Sequence, residues 1–146
     1  MATFTLFDEY IKYQLDGTID LDTHAFKAVL SNVAPVATTG TVLTDITQIA
    51  AGNGYTTGGV ALASVTLAET GAGTGIWQWT AADFSWTASG GSIAAFQYVI
   101  IYDDTPTSPA DPLVGYLDYG TSITITNGNT FTADISASGI VRYQEA

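Results

Sequence analysis

The stretch AAFQYVIIYDD, residues 94–104, is the most apolar run of the sequence and decides the class of fold. Its valine, isoleucine and aromatic residues are typical of a β-strand that is buried in a sheet. The run leads into the loop DDTPTSPADP, whose three prolines stiffen it. We therefore predict a central strand over Ile93–Tyr102, followed by a loop that faces solvent.

Short apolar runs continue on both sides of this strand, and glycine, asparagine, aspartate, serine or proline bounds each of them. Turn signals recur about every 8–12 residues, as in a sandwich or barrel. The pattern predicts a mainly β fold, an antiparallel β-sandwich of jelly-roll type with one short N-terminal helix. Asn127-Gly128 in ITNGNTF predicts a hairpin. The predicted strands after the glycine-rich loop at 52–59 are Val60–Leu67, Ile76–Thr80, Phe84–Thr87, Ile93–Tyr102, Leu113–Tyr119, Ile123–Thr126, Thr130–Ile135 and Ile140–Tyr143.

The N-terminal segment, residues 1–17, carries the pattern of a helix. Phe7, Tyr10, Ile11 and Leu15 follow one another at near-helical spacing, and Gly17 ends the pattern. Thr5, three residues before an aspartate, is a candidate cap for the helix start. We expect this helix to pack on its own domain, with docking onto a partner as the alternative.

Two shorter patterns precede the glycine-rich loop. Phe26, Ala28 and Leu30 alternate with other residues and predict a strand with these three side chains on one face. The stretch TDITQI, residues 44–49, begins with the capping-type residues Thr44 and Asp45 and predicts a single helical turn.

Composition limits the classes of protein to which the chain can belong. With 146 residues, 47% of them hydrophobic, it predicts one globular domain over 1–146. The net charge of −11, with only three lysines and arginines, argues against direct nucleic-acid binding and against anionic membrane surfaces. The N-terminus lacks the pattern of a signal peptide, so we expect none. The absence of cysteine excludes disulfides and thiolate metal sites.

The glycine-rich stretch GNGYTTGG, residues 52–59, is predicted to be a turn and not a phosphate site. A phosphate loop needs a helix start and, in its commonest form, a lysine followed by serine or threonine. Here the residues that follow are VALASVTL, which favour a strand. Glycine adopts positive φ at little cost, so a tight bend explains the spacing.

No motif in the sequence indicates catalysis, and we expect no enzyme, no metal and no cofactor. His24 is the only histidine, and its place at the edge of a strand favours a structural role over a catalytic one. Aspartates cluster in three places, which would suit calcium or glycoside hydrolysis, but none follows a specific motif and solvated turn acids are the simpler interpretation. The clusters are Asp16, Asp20 and Asp22; Asp103, Asp104 and Asp111; and Asp83 with Asp118.

Three tryptophans in IWQWTAADFSW offer an alternative binding function. Trp77 and Trp79 share one face of a predicted strand, and Trp86 follows nearby. Exposed indoles of this kind stack on sugar rings, so the three residues are a candidate carbohydrate platform. Core packing is the favoured interpretation, because large aromatic side chains dominate β cores.

Several of these segments together resemble a widespread family of tailed-phage virion structural proteins. They cover most of the chain in consistent order, and GNGYTTGG resembles the glycine-tyrosine turn of that family. The stretch TGAGTGIWQW departs from it, since a shorter and less aromatic hairpin is expected there. The matching stretches are LDGTIDLDTHAFKAVL, DITQIAAGNGYTTGGVALA, ADFSWTA, VIIYDDT, ADPLVGYLDYG and FTADISASGIVRY.

The resemblance implies a structural role in the virion. Some members resemble head decoration, or cement, proteins, which bind outside the major capsid protein lattice and stabilise the head. We therefore expect a homo-oligomer, a dimer or trimer, on the capsid exterior. The alternative is a tail protein or a receptor-binding, carbohydrate-binding β module of the virion. The candidate contact residues for the partner are Phe4, Phe7, Tyr10 and Ile11.

Overall fold

A computed structural model describes residues 2–145 and has a mainly β fold with antiparallel strand pairs, as predicted. One α-helix, α1, spans Asp8–Leu15, and a short 3₁₀ turn spans Leu43–Asp45 where a helical turn was predicted. Within the described part of the chain, no helix is long and apolar enough to cross a membrane. The strands are β1 (Thr3–Leu6), β2 (Phe26–Ser31), β3 (Val60–Ala61), β4 (Thr66–Glu69), β5 (Ile76–Thr80), β6 (Phe84–Thr87), β7 (Ile93–Asp103), β8 (Leu113–Ile125), β9 (Thr130–Ala133) and β10 (Val141–Gln144).

The strands form three sheets that pack in a sandwich-like arrangement. A five-stranded sheet has the order β1-β8-β7-β2-β3, a three-stranded sheet has the order β10-β5-β4, and β6 pairs with β9. Aromatic contacts join the large sheet to the two smaller ones: the rings of Phe26 and Trp79 lie 4.8 Å apart, and those of Phe96 and Phe131 lie 4.9 Å apart. This strand order does not confirm the jelly-roll topology.

The predicted central strand is the middle strand of the large sheet, where β7 lies between β8 and β2. Its last five residues, 99–103, are all buried, because apolar layers cover both faces of the sheet at this end. The main core lies between the sheets and contains Phe26, Ala28 and Leu30, which share one face as predicted. A smaller core on the outer face contains Val29 and Phe7.

The N-terminal segment differs from its prediction. Residues Thr3–Leu6 form a strand, and the helix starts only at Asp8. Thr3–Leu6 pairs with β8, with Phe4 opposite Leu117 and Leu6 opposite Gly115. Phe4 and Leu6 thereby pack on the main core, which an isolated helical turn would not achieve. Phe7 occupies the N-cap position, so Thr5 does not cap the helix.

Two predicted strand boundaries are also wrong. The segment 60–67 contains two strands, β3 and β4, because Ser64 between them adopts a left-handed φ of 52°. In contrast, the segments predicted at 113–119 and 123–126 belong to one continuous strand, β8. Such errors arise because tertiary pairing, rather than local composition, sets where a strand ends.

The Asn127-Gly128 turn is present, but the predicted hairpin is wrong. Gly128 has a φ of 87°, and the Asn129 N–H donates to the Thr126 carbonyl across the turn. The flanking strands belong to different sheets, since β8 pairs with β7 and β1 while β9 pairs with β6. The turn therefore carries the chain from one sheet to the next.

The glycine-rich loop is a turn that leads into β3, as predicted. Gly59 has a φ of 73°, and a Cβ atom there would lie 1.7 Å from the Ala28 carbonyl oxygen. Only glycine permits this approach of the loop to β2. Tyr55 is buried, its hydroxyl donates to Gln48 at 2.8 Å, and it accepts the Leu30 N–H at 3.3 Å.

Candidate functional site

The three tryptophans do not form one exposed platform. Trp79 is fully buried against Phe26, and its Nε1–H donates to the Leu21 carbonyl at 3.1 Å. Trp86 lies in another sheet and is 2% exposed. Trp77 alone reaches solvent, with 47% of its surface exposed. The carbohydrate platform predicted from the sequence is therefore reduced to one indole, because the sheet packing buries the other two.

The predicted contact residues of the N-terminal segment are divided in a similar way. Phe7 and Tyr10 are buried in the two cores and Phe4 is half-buried, so these three side chains mainly stabilise the domain itself. Ile11 is 59% exposed and Leu15 is 84% exposed. The two lie four positions apart on α1, which places them on one face of the helix.

Tyr143 connects α1 to the strand that carries Trp77. Its hydroxyl forms a hydrogen bond with the Tyr10 hydroxyl and donates to the Gln14 Oε1 atom at 3.4 Å. In the pairing of β10 with β5, Tyr143 lies directly opposite Trp77. Ile11 comes directly after Tyr10 in the chain, and Leu15 comes directly after Gln14; Tyr10 and Gln14 are the two helix residues that contact Tyr143. We call Ile11, Leu15 and Trp77 the helix–strand patch.

The tyrosine pair that links α1 to β10 stays protonated over the usual pH range. Burial raises the pKa of the Tyr10 hydroxyl far above its ordinary value, and the hydrogen bond to Tyr143 raises it further. Burial also raises the pKa of Tyr143. Because neither hydroxyl ionises, the hydrogen bond that fixes α1 on β10 does not depend on pH under ordinary conditions.

The first aspartate cluster caps turns. Asp16 accepts the Thr18 N–H at 3.0 Å, and Asp20 accepts the Asp22 N–H at 2.9 Å and the Thr23 hydroxyl at 2.7 Å. Hydrogen bonds to the charged form lower the pKa of both Asp16 and Asp20. Asp22 is exposed.

His24 pairs with a buried carboxylate, a contact that the sequence did not indicate. Its Nδ1 atom lies 2.6 Å from a carboxylate oxygen of Asp103, which is fully buried and also accepts the Thr105 N–H at 3.0 Å. Burial raises the pKa of Asp103, against the opposing effects of His24 and Thr105. The pair lies 79 positions apart in the chain, so only the pairing of β2 with β7 could reveal it.

Of the remaining aspartates, Asp104 and Asp111 lie near each other, and burial together with the Asp104 charge raises the pKa of Asp111. Asp104 forms a salt bridge with Lys27 at 2.8 Å, and Asp111 adopts a left-handed φ of 53°. Asp83 accepts the Ile135 N–H at 2.8 Å, whereas Asp118 accepts the Gly120 N–H at 2.7 Å. Among residues 2–145, no three histidine, aspartate or glutamate side chains lie close enough to hold a metal ion.

One apolar cavity of about 260 Å³ opens between β1 and the segment 134–140. The buried side chain of Ile101 contributes to its wall, together with Phe4 and Leu117 from the neighbouring strands. Its polar lining comes from Asp134 and Ser136. The cavity therefore offers apolar contact and one carboxylate.

The chain matches none of the protein family models, curated proteins and solved structures with which it was compared. The likeness to phage virion proteins therefore stays a prediction from the sequence. The described residues offer exposed apolar side chains on α1 and on β5, and the Tyr10–Tyr143 hydrogen bond holds α1 on β10, the neighbour of β5.

Proposed function

We propose that the protein is a structural virion protein, a capsid decoration or cement protein that binds outside the major capsid protein lattice and stabilises the head. The ordered resemblance of six stretches to tailed-phage structural proteins supports this function. The acidic surface, with a net charge of −11, is consistent with a protein that stays off the packaged DNA.

The helix–strand patch is the observation that carries the proposal. Ile11 is 59% exposed and Leu15 is 84% exposed on one face of α1, so the helix offers two apolar side chains to a partner. Burying one such side chain contributes about 1.5–3 kcal/mol. A lattice presents many equivalent sites, so a modest contact per copy stabilises the whole shell.

The experiment is to purify heads that lack the protein and to add it back. We expect saturable binding to the heads and a rise in the temperature at which they release DNA. Failure to bind, or binding to tails alone, would contradict the proposal. Loss of binding in EDTA would show that a divalent cation takes part.

Paired substitutions identify the contact surface. Ile11→Asp and Leu15→Asp place a charge in the patch and should weaken head binding at least about tenfold, because an unpaired carboxylate would be desolvated. Val33→Asp and Val36→Asp are the controls, since both valines are more than half exposed on a different segment. Equal losses in both pairs would show that the patch has no special role.

The exposed indole of Trp77 is the observation that favours the alternative function, a tail or carbohydrate-binding module. An indole that is 47% exposed can stack on a sugar ring. If the alternative holds, a glycan array should give binding that quenches indole fluorescence and that Trp77→Ala removes. If no sugar binds, only the structural role remains.

A further inference from the structure

Strand β10 is an edge strand with one side open. It pairs with β5 alone, and within residues 2–145 no other segment forms hydrogen bonds with the main chain of 141–144. Arg142 and Gln144 point to the exposed face of the sheet, while Tyr143 points inward. An open edge presents unpaired N–H and C=O groups, which are a template for another strand.

We infer that β10 pairs with β10 of a second copy of this chain, antiparallel about a twofold axis. The three-stranded sheets would then join into one sheet of order β4-β5-β10-β10-β5-β4. Such an interface is isologous, so every contact occurs twice. The inference specifies the homo-oligomer that the sequence analysis predicts, and it rests on the proposed function for its role in the virion.

The distribution of charge favours the β10 edge over the β4 edge of the same sheet. Lys12 pairs with Glu9 and Lys27 with Asp104, whereas Arg142 forms no salt bridge within the described residues. Two copies with a net charge of −11 repel each other, and the repulsion is smallest where each presents a cation. The β4 edge instead carries Glu69.

The alternation of side chains selects the register. Opposite residues in an antiparallel pair point to the same face, so Arg142 must face a residue that is also exposed. Arg142 opposite Arg142 would place like charges together. The register that pairs the two exposed residues of β10 with each other has Tyr143 at the axis and Arg142 opposite Gln144 of the second copy. The inward face then carries a continuous aromatic row, Trp77 and Tyr143 from each copy.

The test uses the purified full-length protein and sedimentation equilibrium over a range of concentrations. Gln144→Glu should tighten the dimer, because it places a carboxylate opposite Arg142. Gln144→Lys and Arg142→Glu should each raise the dissociation constant about tenfold. The double variant Arg142→Glu with Gln144→Lys should restore it, since the opposite charges are exchanged.

Thr66→Glu and Ala68→Lys on the β4 edge are the controls, and they should leave the dissociation constant unchanged. A protein that stays monomeric up to about 1 mM would overturn the inference. A dimer that responds to the β4 variants, or that ignores the Arg142 and Gln144 variants, would overturn it as well. The sedimentation experiment contains no capsid, so a negative result overturns only the dimer. The decoration function is tested separately, by binding to heads.

Discussion

Trp77 and Trp79 lie two residues apart on the same face of β5 and have opposite surroundings. Trp79 contacts Phe26, which lies opposite Asp103 in the pairing of β2 with β7. Trp77 lies beyond this contact, between Glu69 and Tyr143 on the neighbouring strands. One strand therefore begins at the exposed surface and ends in the core. Alternation indicates which face a side chain occupies, but the extent of the opposing layer decides whether it is buried.

The largest expected effect comes from truncating the two tryptophans. Trp79→Ala should lower the free energy of unfolding by about 3–5 kcal/mol, because it leaves a cavity in the core and an unpaired Leu21 carbonyl. Trp77→Ala should cost less than about 1 kcal/mol. Urea denaturation followed by circular dichroism measures both, and equal losses would show that the two positions do not differ.

The tyrosine pair should give an intermediate effect. Tyr143→Phe leaves the buried Tyr10 hydroxyl without its partner and should cost about 1–2 kcal/mol. Tyr10→Phe should cost less, because the Tyr143 hydroxyl keeps Gln14. In a double-mutant cycle, the variant with both changes should be more stable than the sum of the single losses predicts. Strict additivity would mean that the hydrogen bond adds nothing to stability.

The smallest effect concerns pH. Burial raises the pKa of Asp103 above the ordinary value of about 4, so the folded state binds this proton more tightly than the unfolded state. This contribution to stability is complete below pH about 4 and is lost as the pH rises through the raised pKa. Asp103→Asn cannot ionise, so its stability should not show this decline.

Thermal unfolding of the wild type and Asp103→Asn at a series of pH values measures the difference. The neighbouring substitution Asp104→Asn is the control, because Asp104 lies at the surface in a salt bridge with Lys27. If the wild type and Asp103→Asn keep the same difference in stability at every pH, Asp103 ionises as it does in the unfolded chain.

The sequence predicted the fold better than the site, and particular residues show why. Phe26, Ala28 and Leu30 alternate within one strand, so their shared face could be deduced locally. Contacts between distant segments leave no local signal, as between Tyr10 and Tyr143, which lie 133 positions apart. The exposure of Ile11 and Leu15 could not be deduced locally either, because the same helical spacing is typical of residues that face a core.

The pairing of β1 with β8 has a consequence for the order in which the molecule forms. Thr3 lies opposite Asp118, so β1 has no partner until β8 has been made. Such non-local contacts form slowly. Tyr10 gains its hydrogen-bond partner later still, because Tyr143 lies 133 positions further along the chain. A chain that ends before β10 would therefore lack the support for α1, so the helix–strand patch forms only after β10 has been made.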